Sequence, residues 1–207
     1  MELGINIRNW GPTATREFLT ESAKIVDSSS LDALWFNDHI GFPPEIKNNV
    51  FGVPKEMGSI IDPLGLACYF ASVTKRVRFG TGVLVLPYRP ALVTNKLLTA
   101  IQILSDNRFL LGIGAGYLAE EFQALGVSIK KRGQITDETL ALLNESSQNA
   151  LVESNGQEFL LEPKLTKPPI YIGQNAEIAF ERTIKYGDGW MPVSQTPEEL
   201  KPKIETF

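Results

Sequence analysis

The chain has 207 residues, little more than one typical domain, with 20 Lys and Arg against 24 Asp and Glu and a formal net charge of -4. That balance argues against the basic surface of a nucleic-acid binder, and 43% hydrophobic against 21% charged residues excludes wholesale disorder. One cysteine, Cys68, excludes an intrachain disulfide, and with one histidine it leaves too few ligands for an ordinary zinc site, so no metal is expected.

In chain order, Leu3 to Ile7 reads as a short buried strand. Thr15 to Asp27 carries apolar residues at helical spacing. Leu31 to Asn37 is a second strand. It is followed by one long loop, Asn37 to Ile61, rich in Gly, Pro and Asn. Asp62 and Pro63 stand as cap and first residue of a helix running to Ser72. Val77 to Leu86 is a third strand, Pro90 to Ser105 a helix, and Arg108 to Ile113 a fourth strand. Gly133 to Asn149 reads as a helix and Pro169 to Gly173 as a fifth strand. Ala176 to Tyr186 is a helix with Asn175 as its cap, and Gly189 to Val193 is a sixth strand. Thr196, Pro197 and Glu199 form a capping box, after which Leu200, Ile204 and Phe207 share a helical face and Pro202 should kink or shorten the helix.

Strands alternating with helices, and apolar on nearly every position, imply a parallel sheet covered on both faces. The expected fold class is α/β: a TIM-barrel-like (β/α) fold in one domain spanning 1–207. Six strand signals fall short of eight, so the barrel is expected to be incomplete on its C-terminal side. An open edge would expose apolar surface, so a homodimer is expected to cover it. Met1-Glu2-Leu3-Gly4 lacks the basic and apolar regions of a signal peptide, and no apolar run reaches the ~20 residues of a membrane span. A cytoplasmic protein without membrane contact is the expectation.

Three places carry chemistry. Asp38 and His39 end the second strand, where barrel enzymes build their sites. His39 is the one side chain with an ordinary pKa, about 6.5, suited to proton exchange near neutrality; a surface or capping histidine is the bland alternative. Gly80 and Gly82 interrupt the third strand, which points to a bulge or a closely approaching ligand. Gly112, Gly114 and Gly116 follow the fourth strand as a bare backbone wall. Tyr117 stands where a dinucleotide fingerprint needs glycine, so that reading is weak. Gly173, Gln174 and Asn175 lead into a helix whose free N–H groups suit an anion.

Read together, these segments resemble the luciferase-like family of flavin- and deazaflavin-dependent oxidoreductases. The carrying stretches are L-D-A-L-W-F-N-D-H-I, V-R-F-G-T-G-V-L-V-L-P-Y-R-P-A-L-V-T-N-K and R-F-L-L-G-I-G-A-G-Y-L-A-E-E-F. L-G-V, K-R-G-Q-I-T-D-E, E-P-K, K-P-P-I-Y-I-G and K-Y-G-D-G-W-M-P follow in the family's order. The resemblance implies a β/α barrel and a cofactor, FMN or coenzyme F420, at its C-terminal end. It implies His39 as the catalytic or substrate-contacting histidine, with Asp38 beside it at the cofactor. Gly82 and Val83 would back the ring at a bulge where the family often holds a non-proline cis peptide. Ala115, Gly116 and Tyr117, with Gly173, Gln174 and Asn175, would contact the ribityl chain and phosphate. The implied function is an oxidoreductase or monooxygenase acting on a small organic substrate. A shortened, non-catalytic flavin-binding or homodimeric remnant is the alternative. The sequence departs from the family at Asp106-Asn107-Arg108, where relatives usually have G-G-R.

Overall fold

In chain order the elements are β1 (Gly4–Asn6), α1 (Arg16–Ser28), β2 (Ala33–Phe36), α2 (Pro63–Val73), β3 (Arg78–Val85), α3 (Ala91–Leu104), β4 (Phe109–Gly114) and α4 (Ala119–Ala124). They continue with α5 (Arg132–Gln148), β5 (Leu151–Ser154), β6 (Gln157–Leu160), β7 (Ile170–Gly173), α6 (Glu177–Tyr186), β8 (Gly189–Met191) and α7 (Pro197–Ile204). The computed structural model describes residues 1–46 and 52–205. Part of the long loop after β2, and Phe207, therefore lie outside the described residues.

Six strands pair in parallel in the order β1-β2-β3-β4-β7-β8. The sheet curls into a half-barrel. Trp35 on β2 and Tyr171 on β7 meet edge to face at 5.6 Å between ring centroids, although β3 and β4 lie between their strands. In a flat sheet three strand spacings would part them by about 14 Å. The opposite face of the sheet packs under the helices. Leu34, Phe36, Phe79, Phe109 and Leu111 are fully buried there with Ala23, Phe70, Leu98, Ile101 and Leu140.

Local chemistry starts the helices in three places, the second and third of them as expected. Thr15 Oγ1 accepts from Phe18 N–H at α1. Asp62 Oδ1 accepts from Leu64 and Gly65 N–H, both at 2.9 Å, ahead of Pro63 at α2. Thr196 and Glu199 complete the capping box of α7. Pro202 is accommodated inside α7, which continues to Ile204.

Several expectations are corrected. β1 is not buried: all three of its residues are exposed, and in the expected segment only Ile7 is buried. It is an edge strand paired to β2 alone, so nothing described covers its other side. The segment after α5 holds an antiparallel hairpin, β5–β6, that the helix and strand signals passed over. Its two-residue loop is Asn155-Gly156, both at positive φ (52° and 75°), the turn that matches strand twist.

The departure at 106–108 has a conformational reason. Asp106 and Asn107 sit at φ 52° and 60°, a left-handed pair for which glycine is the unstrained choice and Asp or Asn the best tolerated substitutes. Arg108 then fixes the turn. Its guanidinium donates to the carbonyls of Ser105 (2.8 Å), Ala71 (3.1 Å), Thr74 (3.1 Å) and Val77 (3.1 Å) and to Thr74 Oγ1 (2.7 Å). In denaturant unfolding, Asn107→Val should cost about 1–2 kcal/mol, whereas Asn107→Gly should be neutral or stabilising. Equal stability of the two variants would refute the account.

Candidate active site

The C-terminal ends of β2, β3, β4 and β7 and the loop after β8 surround a cavity of about 650 Å³, within the size range of small-ligand sites. Asp38 and His39 reach it from β2, and Gly82 and Val83 from β3. Ala115, Gly116 and Tyr117 come from the β4–α4 connection, and Gly173, Gln174 and Asn175 from the β7–α6 connection. Val53, Met57 and the Val193-Ser194-Gln195 segment also line it, and nothing in the sequence singled them out.

The floor is made by β3. Its register with β4 shifts between Thr81 and Leu84, and the peptide bond Gly82–Val83 is cis. The neighbouring glycines make room for this detour. A Cβ at Gly112 would lie 2.0 Å from the Thr81 carbonyl oxygen. At Gly114 it would lie 2.8 Å from Val83 Cγ2, and at Gly173 2.8 Å from Val83 Cγ1. The space beside Gly112 and Gly114, at the end of β4, is therefore filled by β3, which corrects the reading of these two glycines as a bare wall against a ligand. Gly82 itself is open: a Cβ there meets nothing nearer than Trp35 Cβ at 3.7 Å.

The end of β2 is held from both sides. Buried Asn9 donates to the carbonyls of Asn37 and Ile61 and accepts from Asn37 N–H, each at 2.9 Å. Asn37 Nδ2 in turn donates to Gly82 O at 3.0 Å, tying β2 to the floor. Asp38, expected at the cofactor, has both carboxylate oxygens engaged within the protein. Oδ2 accepts from Val85 N–H at 2.9 Å and Arg89 Nη1 at 2.7 Å, and Oδ1 from Arg89 Nη2 at 2.9 Å. Arg89 also reaches Asp62 Oδ2 at 2.7 Å. Asp38 anchors the loop through Val85 and Arg89, while the next residue, His39, pairs with Glu121.

His39 Nδ1 lies 2.8 Å from Glu121 Oε2 on α4, both side chains almost fully buried. Tyr88 OH donates to the same oxygen at 2.7 Å, and the Ile40 and Gly41 N–H groups donate to Glu121 Oε1. Burial alone would push the Glu121 carboxyl up; the bonds from His39, Tyr88 and Ile40 outweigh it and hold it below the ordinary carboxylate range. Burial, and then the charge of Glu121, pushes the Tyr117 phenol up to about 12 and raises that of Tyr88 further. The Tyr117 ring meets the His39 imidazole edge-on at 6.0 Å. Sequence reasoning missed Glu121 and Tyr88. An acid in the first turn of a helix is ordinary, and only the fold brings α4 to the end of β2.

At the far connection Asn175 is not the cap of α6. Its amide pairs with the Val193 backbone instead, donating to the carbonyl at 2.6 Å and accepting from the N–H at 2.9 Å. Ala176 occupies the cap position, and among the described residues no side chain bonds the first N–H groups of the helix. Trp190 Nε1 donates to Gln174 O at 2.7 Å, and Gln174 takes φ 104°. The loop is thereby pinned beside the cavity that its residues line.

A parallel half-barrel with a cavity at its strand C-termini defines a β/α-barrel fold. The luciferase-like monooxygenase family model matches residues 2–207, and the chain belongs to that family. An uncharacterised protein of Mycobacterium tuberculosis is 28% identical over 195 residues, covering 88% of this chain and 67% of its own. Two solved structures share the fold. The oxygenating constituent of 3,6-diketocamphane monooxygenase from Pseudomonas putida, in complex with FMN, aligns with TM-score 0.74 and 17% identity over 99% of this chain and 60% of that one. An F420-dependent secondary alcohol dehydrogenase, in complex with an F420-acetone adduct, aligns with TM-score 0.76 and 19% identity over 99% of this chain and 63% of that one. The chain thus spans about two thirds or less of the length of these relatives. Among the described residues, no helix is long and apolar enough to cross a membrane.

The Glu121 environment makes a pH prediction. Its folded pKa lies below its unfolded value, so its stabilising contribution is complete above the ordinary glutamate pKa of about 4.3 and is lost as pH falls through the lower folded value. The stability difference between wild type and Glu121→Gln should therefore shrink on acidification through that window. Urea unfolding at a series of pH values checks it, and a pH-independent difference would contradict it.

Proposed function

We propose that the cavity binds FMN or coenzyme F420 and that the protein is an oxidoreductase or monooxygenase acting on a small organic substrate. One observation carries the reading: a single cavity joins the open, bulged floor at Gly82–Val83 to the start of α6, whose N–H groups no side chain caps. A flat ring system fits against a floor without a side chain at Gly82, and a phosphate fits the uncapped helix start. No Lys or Arg lines the cavity among the described residues, so the phosphate would be met by backbone N–H groups and neutral side chains. The resemblances to an FMN complex and an F420 complex support the class of cofactor without deciding between the two.

In this reading the residues at 82–83 hold the ring. Those at 115–117 and 173–175 hold the ribityl chain and phosphate, and Asp38 keeps the β2 end in place for His39. When bound, the cofactor supplies hydride transfer or oxygen activation. The protein orients it, and His39 holds or moves a proton at the substrate. Val53, Met57, Val83, Val85 and Val193 give the cavity an apolar lining suited to an uncharged substrate. For a partner, we take a second copy of the chain to cover the edge at β1, where Leu3 is 52% and Ile5 42% exposed.

Absorbance and fluorescence titrations with FMN and F420 separately should show binding of one of them to the wild-type protein. Gly82→Leu should weaken that binding at least tenfold with its circular dichroism unchanged, because the Cβ is accommodated and only the rest of the side chain enters the cavity. Unchanged affinity in that variant would remove the ring from Gly82. Sedimentation at micromolar concentration should show a dimer, and a well-folded monomer would count against the second copy.

A further inference from the structure

His39 is the only histidine of the chain and one of its two ring nitrogens is already committed. Glu121 is ionised and can only accept, so the hydrogen in the 2.8 Å contact belongs to His39 Nδ1. Nε2 has no hydrogen-bond partner among the described residues, and His39 lines the cavity. The carboxylate is itself fixed. The Ile40 and Gly41 N–H groups hold Oε1, and Tyr88 OH shares Oε2 with the imidazole. The ring is braced edge-on by Phe42 at 4.8 Å and Tyr117 at 6.0 Å.

We propose that Glu121 is a positioning residue: it locks His39 in the Nδ1–H form and presents the Nε2 lone pair to the cavity as a base or hydrogen-bond acceptor. A neutral histidine without such a partner favours neither role, since either nitrogen can carry the proton. The partner of one nitrogen sets the state of the other. The inference deepens the function proposed above, because the acceptor is aimed where that reading places the substrate.

The test needs no assignment strategy, because one histidine gives one pair of ring nitrogens. In the wild-type protein with 15N-labelled imidazole, at about pH 9, long-range proton–nitrogen correlation should show Nδ1 protonated and Nε2 bare. A protonated Nε2 would overturn the proposal. Glu121→Gln should invert the pattern. The Ile40 and Gly41 donors select the amide oxygen, which turns the NH2 toward Nδ1 and moves the ring proton to Nε2. A folded Glu121→Gln protein that kept Nδ1 protonated would overturn the role of Glu121. Tyr88→Phe leaves the carboxylate in place and should keep the wild-type pattern. Addition of FMN, and separately F420, should shift the Nε2 resonance for whichever binds. Binding without any shift would overturn the placement of Nε2 in the site. Failure of both cofactors to bind would count against the functional reading alone, since the protonation pattern is read in the free protein.

Discussion

Past Thr81 the backbone of β3 leaves its register with β4, and the rest of the cavity is arranged around that departure. The strand can move only where its neighbours carry no side chain. Glycine at 112 yields space to the Thr81 carbonyl, and glycine at 114 and 173 yields it to Val83. Any larger residue at 112 would meet backbone and not a side chain that can turn aside. The Asn37 amide then reaches the displaced Gly82 carbonyl, so β2 is carried along with β3. The order β2, β3, β4, β7 in the sheet is thus also the order in which one irregularity is transmitted.

The mouth of the half-barrel buries two carboxylates, and each is balanced differently. Asp38 faces a cation and one backbone donor, with its side chain fully buried. Glu121 faces two side-chain donors, His39 and Tyr88, and two backbone donors. A buried charge is tolerated only when its lone pairs are filled, and both sites meet that demand. The difference matters for what each can do. A carboxylate locked by an arginine fork is a fastener. One that shares its oxygen with an imidazole sets the protonation of a neighbour.

Much of the architecture was legible because it rests on local chemistry. Apolar runs gave the six parallel strands, and Asp62-Pro63 and Thr196-Pro197-Glu199 gave two helix starts. The Asn155-Gly156 turn was equally legible and was passed over: Leu151 to Leu160 is short and partly charged, so it carries no apolar run to draw attention. Other features depend on what the chain meets after folding. Leu3 to Ile7 looks buried by composition, yet a strand is buried only if something lies beyond it, and β1 is at an edge. Asn175 has the chemistry of a cap, but the Val193 backbone competed for its amide. Gly112 and Gly114 signalled a close approach without saying that the approaching group was β3 itself. The positions His39, Gly82, Val83, Tyr117, Gly173 and Gln174 converge on one cavity, whereas Glu121 is 82 residues from the histidine it touches and no spacing rule links them.

Arg89 bridges Asp38, at the end of β2, to Asp62, whose other oxygen caps α2. Loss of the arginine alone would strand a fully buried carboxylate, at a cost of about 3–5 kcal/mol, while loss of Asp38 alone would leave an arginine nearly as buried. Neither single step is neutral, and lysine has no fork with which to span three oxygens. Positions 38, 62 and 89 therefore act as one coupled unit, and the cost of changing any of them depends on the other two.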